Sequence, residues 1–354
     1  MEAIPTIVIA IDGLRASALG AYGQTAYDTP AFDALTAESR TYEWVYARTP
    51  DPKDFYAELA SHLMAQASVL VTDNCEVTVP IRSCFGAVVE IETPTPSEPA
   101  PTVEDTTTAA TWAALAEALV EANAAGSQLV WLHTRGLYGP WDAPVALMES
   151  LIDEDDPEVT PDVTPPDLLT DDDDERFAAT CRYAAQVMAL DACLGGLLDI
   201  VDGVYEGEDY RLIILGLRGF PLGEHGRIGG VDTRLFSEQQ HAPLLVREPG
   251  INARLDRSAT PMTLDAAIVA LLAGAKAPSD PVLLSSPDSR VIISDDWLLR
   301  APAEGANTPE LYVKPDDRWE QNDIASLEEE LTAELLALLQ NPLDSDVVPP
   351  ASDL

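Results

Sequence analysis

Residues 6–15 read TIVIAIDGLR: five apolar residues, Ile7 to Ile11, run without a break into Asp12, and Gly13 ends the run. An apolar run that does not alternate marks a strand buried on both faces, as in parallel α/β sheets. Open α/β sheets hold their ligand chemistry at the carboxyl ends of such strands. Asp12 is therefore expected at a site edge, with a helix following the turn.

Further strands are expected at Tyr42–Ala47, Ser68–Asp73 (SVLVTD), Leu129–His133 (LVWLH), Arg211–Leu215 (RLIIL) and Ala242–Val246 (APLLV). Helical patterns lie between them. Pro30 opens one over Ala31–Arg40, and others cover Tyr56–Gln66, Ala109–Ala125 and Arg176–Val201, the last broken by Gly195-Gly196. Thr49 to Asp54 reads as a turn-rich loop, and Thr93 to Thr108 as a flexible surface connection. This alternation predicts an α/β fold, a mostly parallel sheet sandwiched by helices. From Ser289 the texture changes: VIISDDWLLR (291–300) and ELYVKP (310–315) read as antiparallel strands, and Ser326–Gln340 as an amphipathic helix. The expected division is a core over 1–285, a small α+β subdomain over 286–340 and an acidic tail over 341–354.

Sixty-one acidic residues against twenty Lys and Arg give a net charge of −41. Such a field repels nucleic acid and anionic membranes, so neither is an expected partner, and it steers anionic substrates poorly. Residues 153–175 carry twelve acidic residues and four prolines, too little apolar surface to fold alone, and read as a disordered-type, solvated insertion. They lack the alternating spacing and central glycine of an EF-hand. No basic and apolar leader precedes the first strand, and no apolar run approaches the roughly 20 residues of a membrane helix, so a cytoplasmic protein is expected. The four cysteines form no CxxC pair and read as reduced packing thiols.

Several stretches carry a family likeness. Residues 7–39 (IVIAIDGLRASALGAYGQTAYDTPAFDALTAES) hold a strand ending in Asp, then an LRAD-like element, a GxYG element and a TPxxDxLA element. Trp131–Pro144, Tyr183–Leu198, Tyr210–Gly226, Arg234–Gly250 and Trp297–Ala325 continue the pattern in order. Together they resemble the sulfatases of the alkaline phosphatase superfamily over nearly the whole chain. That resemblance implies a calcium-type cation held by carboxylates, and a nucleophile made from Cys or Ser in a CxPxR or SxPxR motif.

On this frame Asp12 matches the cation ligand at the end of the first strand. The family's SDHG reads Gly216-Leu217-Arg218-Gly219, so Leu217 and Arg218 occupy the positions of lost ligands. Leucine has no lone pair to give, and arginine brings a permanent positive charge. The nucleophile frame reads Pro50-Asp51-Pro52-Lys53-Asp54, where proline cannot be activated, and Thr49 lies just outside the motif. The nucleophile-bearing helix is read as shortened or deleted, and Tyr138 stands where the family has a catalytic His. His225 within Gly223-Glu224-His225-Gly226 matches a substrate contact, and Arg234 stands near the position of a family Lys.

Three roles stay open for Asp12: capping the turn, holding a metal, or pairing with Arg218 in the vacated cation site. His133 reads as a core residue, and His225 as either a loop imidazole or a substrate contact. The resulting expectation is a sulfatase-like pseudoenzyme or binding protein with an unidentified protein or small-molecule partner. No cofactor is expected, and calcium is the ion implied if a metal binds. One alternative is an active metal-dependent sulfuric- or phosphoric-ester hydrolase with a non-standard site, using Asp12, His225, Arg234 and a nucleophile such as Thr49. The other is an acidic scaffold whose 153–175 stretch binds cations loosely.

Overall fold

The computed structural model describes residues 4–63, 65–251, 257–276, 281–303 and 308–340. The expected acidic tail, 341–354, lies outside them. β1 (Thr6–Gly13) is buried along its whole length. It is followed by β2 (Arg40–Tyr46), β3 (Ala65–Thr72), β4 (Phe85–Glu90), β5 (Leu129–Thr134), β6 (Leu168–Leu169), β7 (Arg211–Gly219), β8 (Arg227–Ile228), β9 (His241–Arg247), β10 (Arg257–Ser258) and β11 (Met262–Thr263). The helices among them are α1 (Pro30–Ala37), α2 (Pro52–Ala60), α3 (Cys75–Thr78), α4 (Thr107–Ala124), α5 (Val145–Glu149), α6 (Asp173–Val204), α7 (Ser237–Gln240) and α8 (Leu264–Ala273).

Among the described residues, nine strands form one sheet in the order β10-β2-β9-β7-β1-β5-β3-β4, with β11 also paired to β2. Its pairs are parallel except those of β9, which runs against β7 and β2. Side chains of β1 alternate between two buried layers. Ile7, Ile9 and Ile11 pack with Trp112 and Leu115 of α4 and with Val187 and Leu190 of α6. Val8 and Ala10 pack with Tyr56 and Leu59 of α2 and with Ala267 and Ile268 of α8. Burial on both faces stabilises each large apolar side chain of such a strand by about 1.5–3 kcal/mol.

The second unit is an antiparallel sheet of β12 (Val282–Ser285), β13 (Ser289–Ile293), β14 (Trp297–Pro302) and β15 (Glu310–Val313), followed by α9 (Glu329–Gln340). Leu331, Leu335 and Leu339 of α9 cover one face, against Trp297, Leu299 and Leu311. The other face, with Val291 and Leu298, meets Tyr46 and Leu235 of the main body.

Several local expectations are corrected. The region before α1 holds two 3-10 turns, Ala16–Ala18 and Gly20–Tyr22, rather than a helix. α2 starts at Pro52 because Asp51 caps it, its carboxylate accepting from Lys53 N at 2.9 Å, and proline fits a first turn. It ends at Ala60, and Ala65 and Gln66, read as the end of the helix, belong to β3. Gly195-Gly196 does not interrupt α6, which runs unbroken from Asp173 to Val204. Residues 153–175 are not free of the body. Val159 is buried beside Met148 and Cys181, Trp141 N donates to Val163 O at 2.8 Å, and β6 pairs with β8. Most of the acidic groups there do face solvent, and Asp172 caps α6. No helix among the described residues is long and apolar enough to cross a membrane.

Candidate functional site

The carboxyl ends of β1, β5, β3 and β7 meet at one edge of the sheet. β1 and β7 run in simple register from Thr6↔Arg211 to Ile11↔Gly216; the register then shifts, and Asp12 faces Arg218. Leu217 is passed over by this shift. It is buried in the apolar layer with Val8, Ala10 and Leu215.

Arg218 grips Asp12 with two hydrogen bonds, Nε to Oδ1 at 2.8 Å and Nη2 to Oδ2 at 3.0 Å. The third nitrogen, Nη1, donates to the Pro50 carbonyl at 2.7 Å. The guanidinium also lies over the Tyr138 ring, 4.0 Å from its centroid. Tyr138 is held in place by its hydroxyl, which donates to Gly230 O at 2.8 Å and accepts from Gln239 Nε2 at 3.0 Å. Burial opposes the charge on Arg218, but the Asp12 carboxylate holds its pKa above the ordinary value. The side chains are 12% and 3% exposed, so the pair is largely withdrawn from water.

The resemblance implies a calcium-type ion at this edge. Calcium takes six to eight oxygens. Here both Asp12 oxygens and the Pro50 carbonyl are already engaged by a permanent cation, and the next side chain is a leucine. Among the described residues, no group of three or more His, Cys, Asp or Glu side chains is arranged to hold a metal. The ion does not fit this edge as it stands.

His133, at the end of β5, shares a 2.8 Å hydrogen bond between its Nδ1 and the Tyr56 hydroxyl. Burial, then the charges of Arg135 and Arg218, push its pKa down to about 3. Asp73, beyond β3, accepts from Arg135 N and Thr134 Oγ1, both at 2.8 Å. Thr49 is half-buried, and its Oγ1 donates to Asp51 O at 3.2 Å.

His225 and Arg234 meet in a second network. Arg234 Nη2 donates to His225 O at 2.9 Å, and the same side chain is paired with the buried Asp232. His225 Nδ1 lies 2.6 Å from Glu238 Oε2, and the ring stacks on Phe236 at 3.6 Å. Burial opposes its protonation, but Glu238 raises its pKa above the ordinary value. Arg15 and Glu224 form a further ion pair nearby, which the sequence reading did not single out. Nor did it single out the Pro50 carbonyl or Glu238. Neither main-chain acceptors nor partners distant in sequence leave a local signal.

These environments predict distinct titrations. In an NMR titration of the ring nitrogens, His225 is expected to protonate first as pH falls, above its ordinary range. His133 is expected to stay neutral to about 3, and His241, at the start of β9 and stacked on Trp44, to about 4. Protonation of His133 near the usual imidazole value of about 6.5 would mean that water reaches the end of β5.

Comparison with known proteins follows the same lines. No family model matches the chain. A stretch of 101 residues is 37% identical to an N-acetylglucosamine-6-O-sulfatase of Bacteroides thetaiotaomicron; it covers 28% of this chain and only 18% of that protein's length. A 2-O GAG sulfatase structure superposes with a TM-score of 0.69 at 14% identity, covering 97% of this chain and 92% of that one. A phosphonate monoester hydrolase of Agrobacterium radiobacter gives 0.69 at 15% identity, covering 96% and 95%. The order of strands, the antiparallel second unit and these superpositions show that this chain has the sulfatase fold.

Proposed function

We propose that this chain uses the sulfatase fold without hydrolysing sulfuric esters, and acts as a binding protein through the remodelled carboxyl edge of its sheet. The observation that carries the reading is the two-point grip of Arg218 on Asp12. A guanidinium there offers charge but no Lewis-acid centre to activate a nucleophile. Thr49, next in sequence to the expected nucleophile position, donates to a main-chain carbonyl rather than to a base. His225 and Arg234 are each occupied by a carboxylate of the chain itself, so an incoming sulfate would have to compete with Glu238 and Asp232.

The test is hydrolysis of nitrophenyl sulfate and nitrophenyl phosphate with added calcium, magnesium or manganese. An Asp12→Ala variant serves as control, because so acidic a chain gathers dications nonspecifically. No turnover above that control is expected. Turnover that requires both a metal and Asp12 would defeat the proposal.

A further inference from the structure

The loop after β1, the first turns of α6, the 222–224 turn and the loop after β15 line a cleft of about 380 Å³. Its charged lining residues are Arg15, Arg176 and Glu224, so two cations meet one carboxylate in a chain whose net charge is −41. A local excess of positive charge favours an anion against the field of the whole chain. Arg15 is 4% exposed; its Nε donates to Ser17 Oγ at 3.0 Å, Nη1 to Phe220 O at 3.4 Å and Nη2 to Glu224. A guanidinium carries two N–H donors on each Nη, so one on each has no partner among the described residues. Arg176 is paired with Asp173, whose side chain is 90% exposed; such a pair contributes little and yields to a ligand. Gly223, at φ 100°, leaves room for the Arg176 stem, which a Cβ there would meet at 2.5 Å.

The second, independent observation is Trp319, which lines the same cleft and is 40% exposed. It is nevertheless held firmly. Glu320 beside it takes its left-handed backbone (φ 55°) under the hold of Arg300, Lys314 and Ser237, and Arg318 Nη1 donates to Tyr22 O at 3.1 Å. A strained turn over-determined by buried partners marks a functional position. What this turn presents is an indole ring whose centroid lies 5.9 Å from the Arg15 guanidinium carbon.

We infer that this cleft binds a small aromatic carboxylate, its ring against Trp319 and Tyr27 and its carboxylate on Arg15 and Arg176. Guanidinium groups hold a carboxylate through charge-assisted bonds, and an aromatic face adds stacking that a saturated ring does not match. None of the lining residues belongs to the Asp12–Arg218 pair or to its hydrogen-bond partners, so binding here is independent of what that edge binds or hydrolyses.

Calorimetric titration of the full chain with indole-3-acetate, at roughly 0.15 M salt to screen the diffuse field, tests it. Saturable one-site binding is expected. Trp319→Ala and Arg176→Met, both at partly exposed side chains and checked for folding by circular dichroism, should each weaken it about tenfold. Arg82→Met, which removes a partly exposed arginine beside the edge strand β4, should leave it unchanged. Neutral indole-3-acetamide and non-aromatic cyclohexylacetate should each bind roughly tenfold more weakly than indole-3-acetate. Absence of saturable binding would overturn the inference, as would an equal loss in Arg82→Met or equal binding of either analogue. Nitrophenyl ester turnover bears only on the loss of catalysis, so the two readings fail separately.

Discussion

Arg218→Met is expected to destabilise the folded chain by about 3–5 kcal/mol, because it leaves Asp12 as a buried, uncompensated carboxylate. Asp12 loses both of its guanidinium bonds at once. The loss of packing is smaller, since methionine fills much of the arginine stem's space beside Tyr138. The companion double variant Asp12→Asn/Arg218→Met removes both charges, and should recover most of the loss. Urea unfolding midpoints of wild type, both single variants and the double variant give the coupling directly. Additive single losses would show that the two side chains do not depend on each other.

The second large effect lies at the seam between the two sheets. Glu320 is buried, carries a left-handed backbone (φ 55°) unusual outside glycine, and is paired with both Arg300 and Lys314. Ser237 donates to the same carboxylate, tying α7 to the second unit. Burial alone would raise its pKa, but Lys314 and Arg300 bring it down to about 2. A depressed carboxylate contributes stability that is full above its unfolded value, near 4.5, and is lost as pH falls toward about 2. The shift corresponds to roughly 3 kcal/mol. Glu320→Gln is therefore expected to cost about 3–5 kcal/mol at neutral pH, leaving two buried cations short of a partner. The gap between wild type and variant should close as pH drops from about 4.5 to about 2. Unfolding free energies measured across that range check the sign, and a gap that widens in acid would refute the assignment.

Much of the fold was legible because burial writes itself into sequence as uninterrupted apolar runs. β1, β5 and β7 are such runs, and their central positions in the sheet explain why no polar face interrupts them. β4 was not legible. FGAVVE is short, contains Gly86, and sits at the sheet edge with several residues exposed, so its pattern is that of a surface segment. The start of α2 was hidden for a different reason: Asp51 and Pro52 serve turns and helix caps alike, and only tertiary context chooses between them. In α6 the glycine pair costs helix propensity, and burial of Tyr183, Val187, Leu190, Leu194, Leu197 and Val201 in the core outweighs it.

The site divides the same way. Asp12 and Arg218 are placed by their positions at the ends of strands, so their closeness follows from a parallel sheet. The register shift that selects Arg218 over Leu217 is a feature of backbone geometry and has no residue signature. Asp265 pairs with Arg48 from a distant part of the chain, and Glu320 reaches Arg300 on β14. Such meetings are set by topology and lie beyond any window of sequence.

The claim at the centre of the structure is that a guanidinium holds the place on Asp12 where the sulfatase resemblance implies a cation. Calorimetric titration with calcium at about 0.15 M ionic strength, comparing wild type with Asp12→Asn after circular dichroism shows both folded, tests it most directly. Superimposable isotherms are the expected result, with any weak binding arising from the acidic surface common to both. A tight calcium site present in wild type and lost in Asp12→Asn would contradict it.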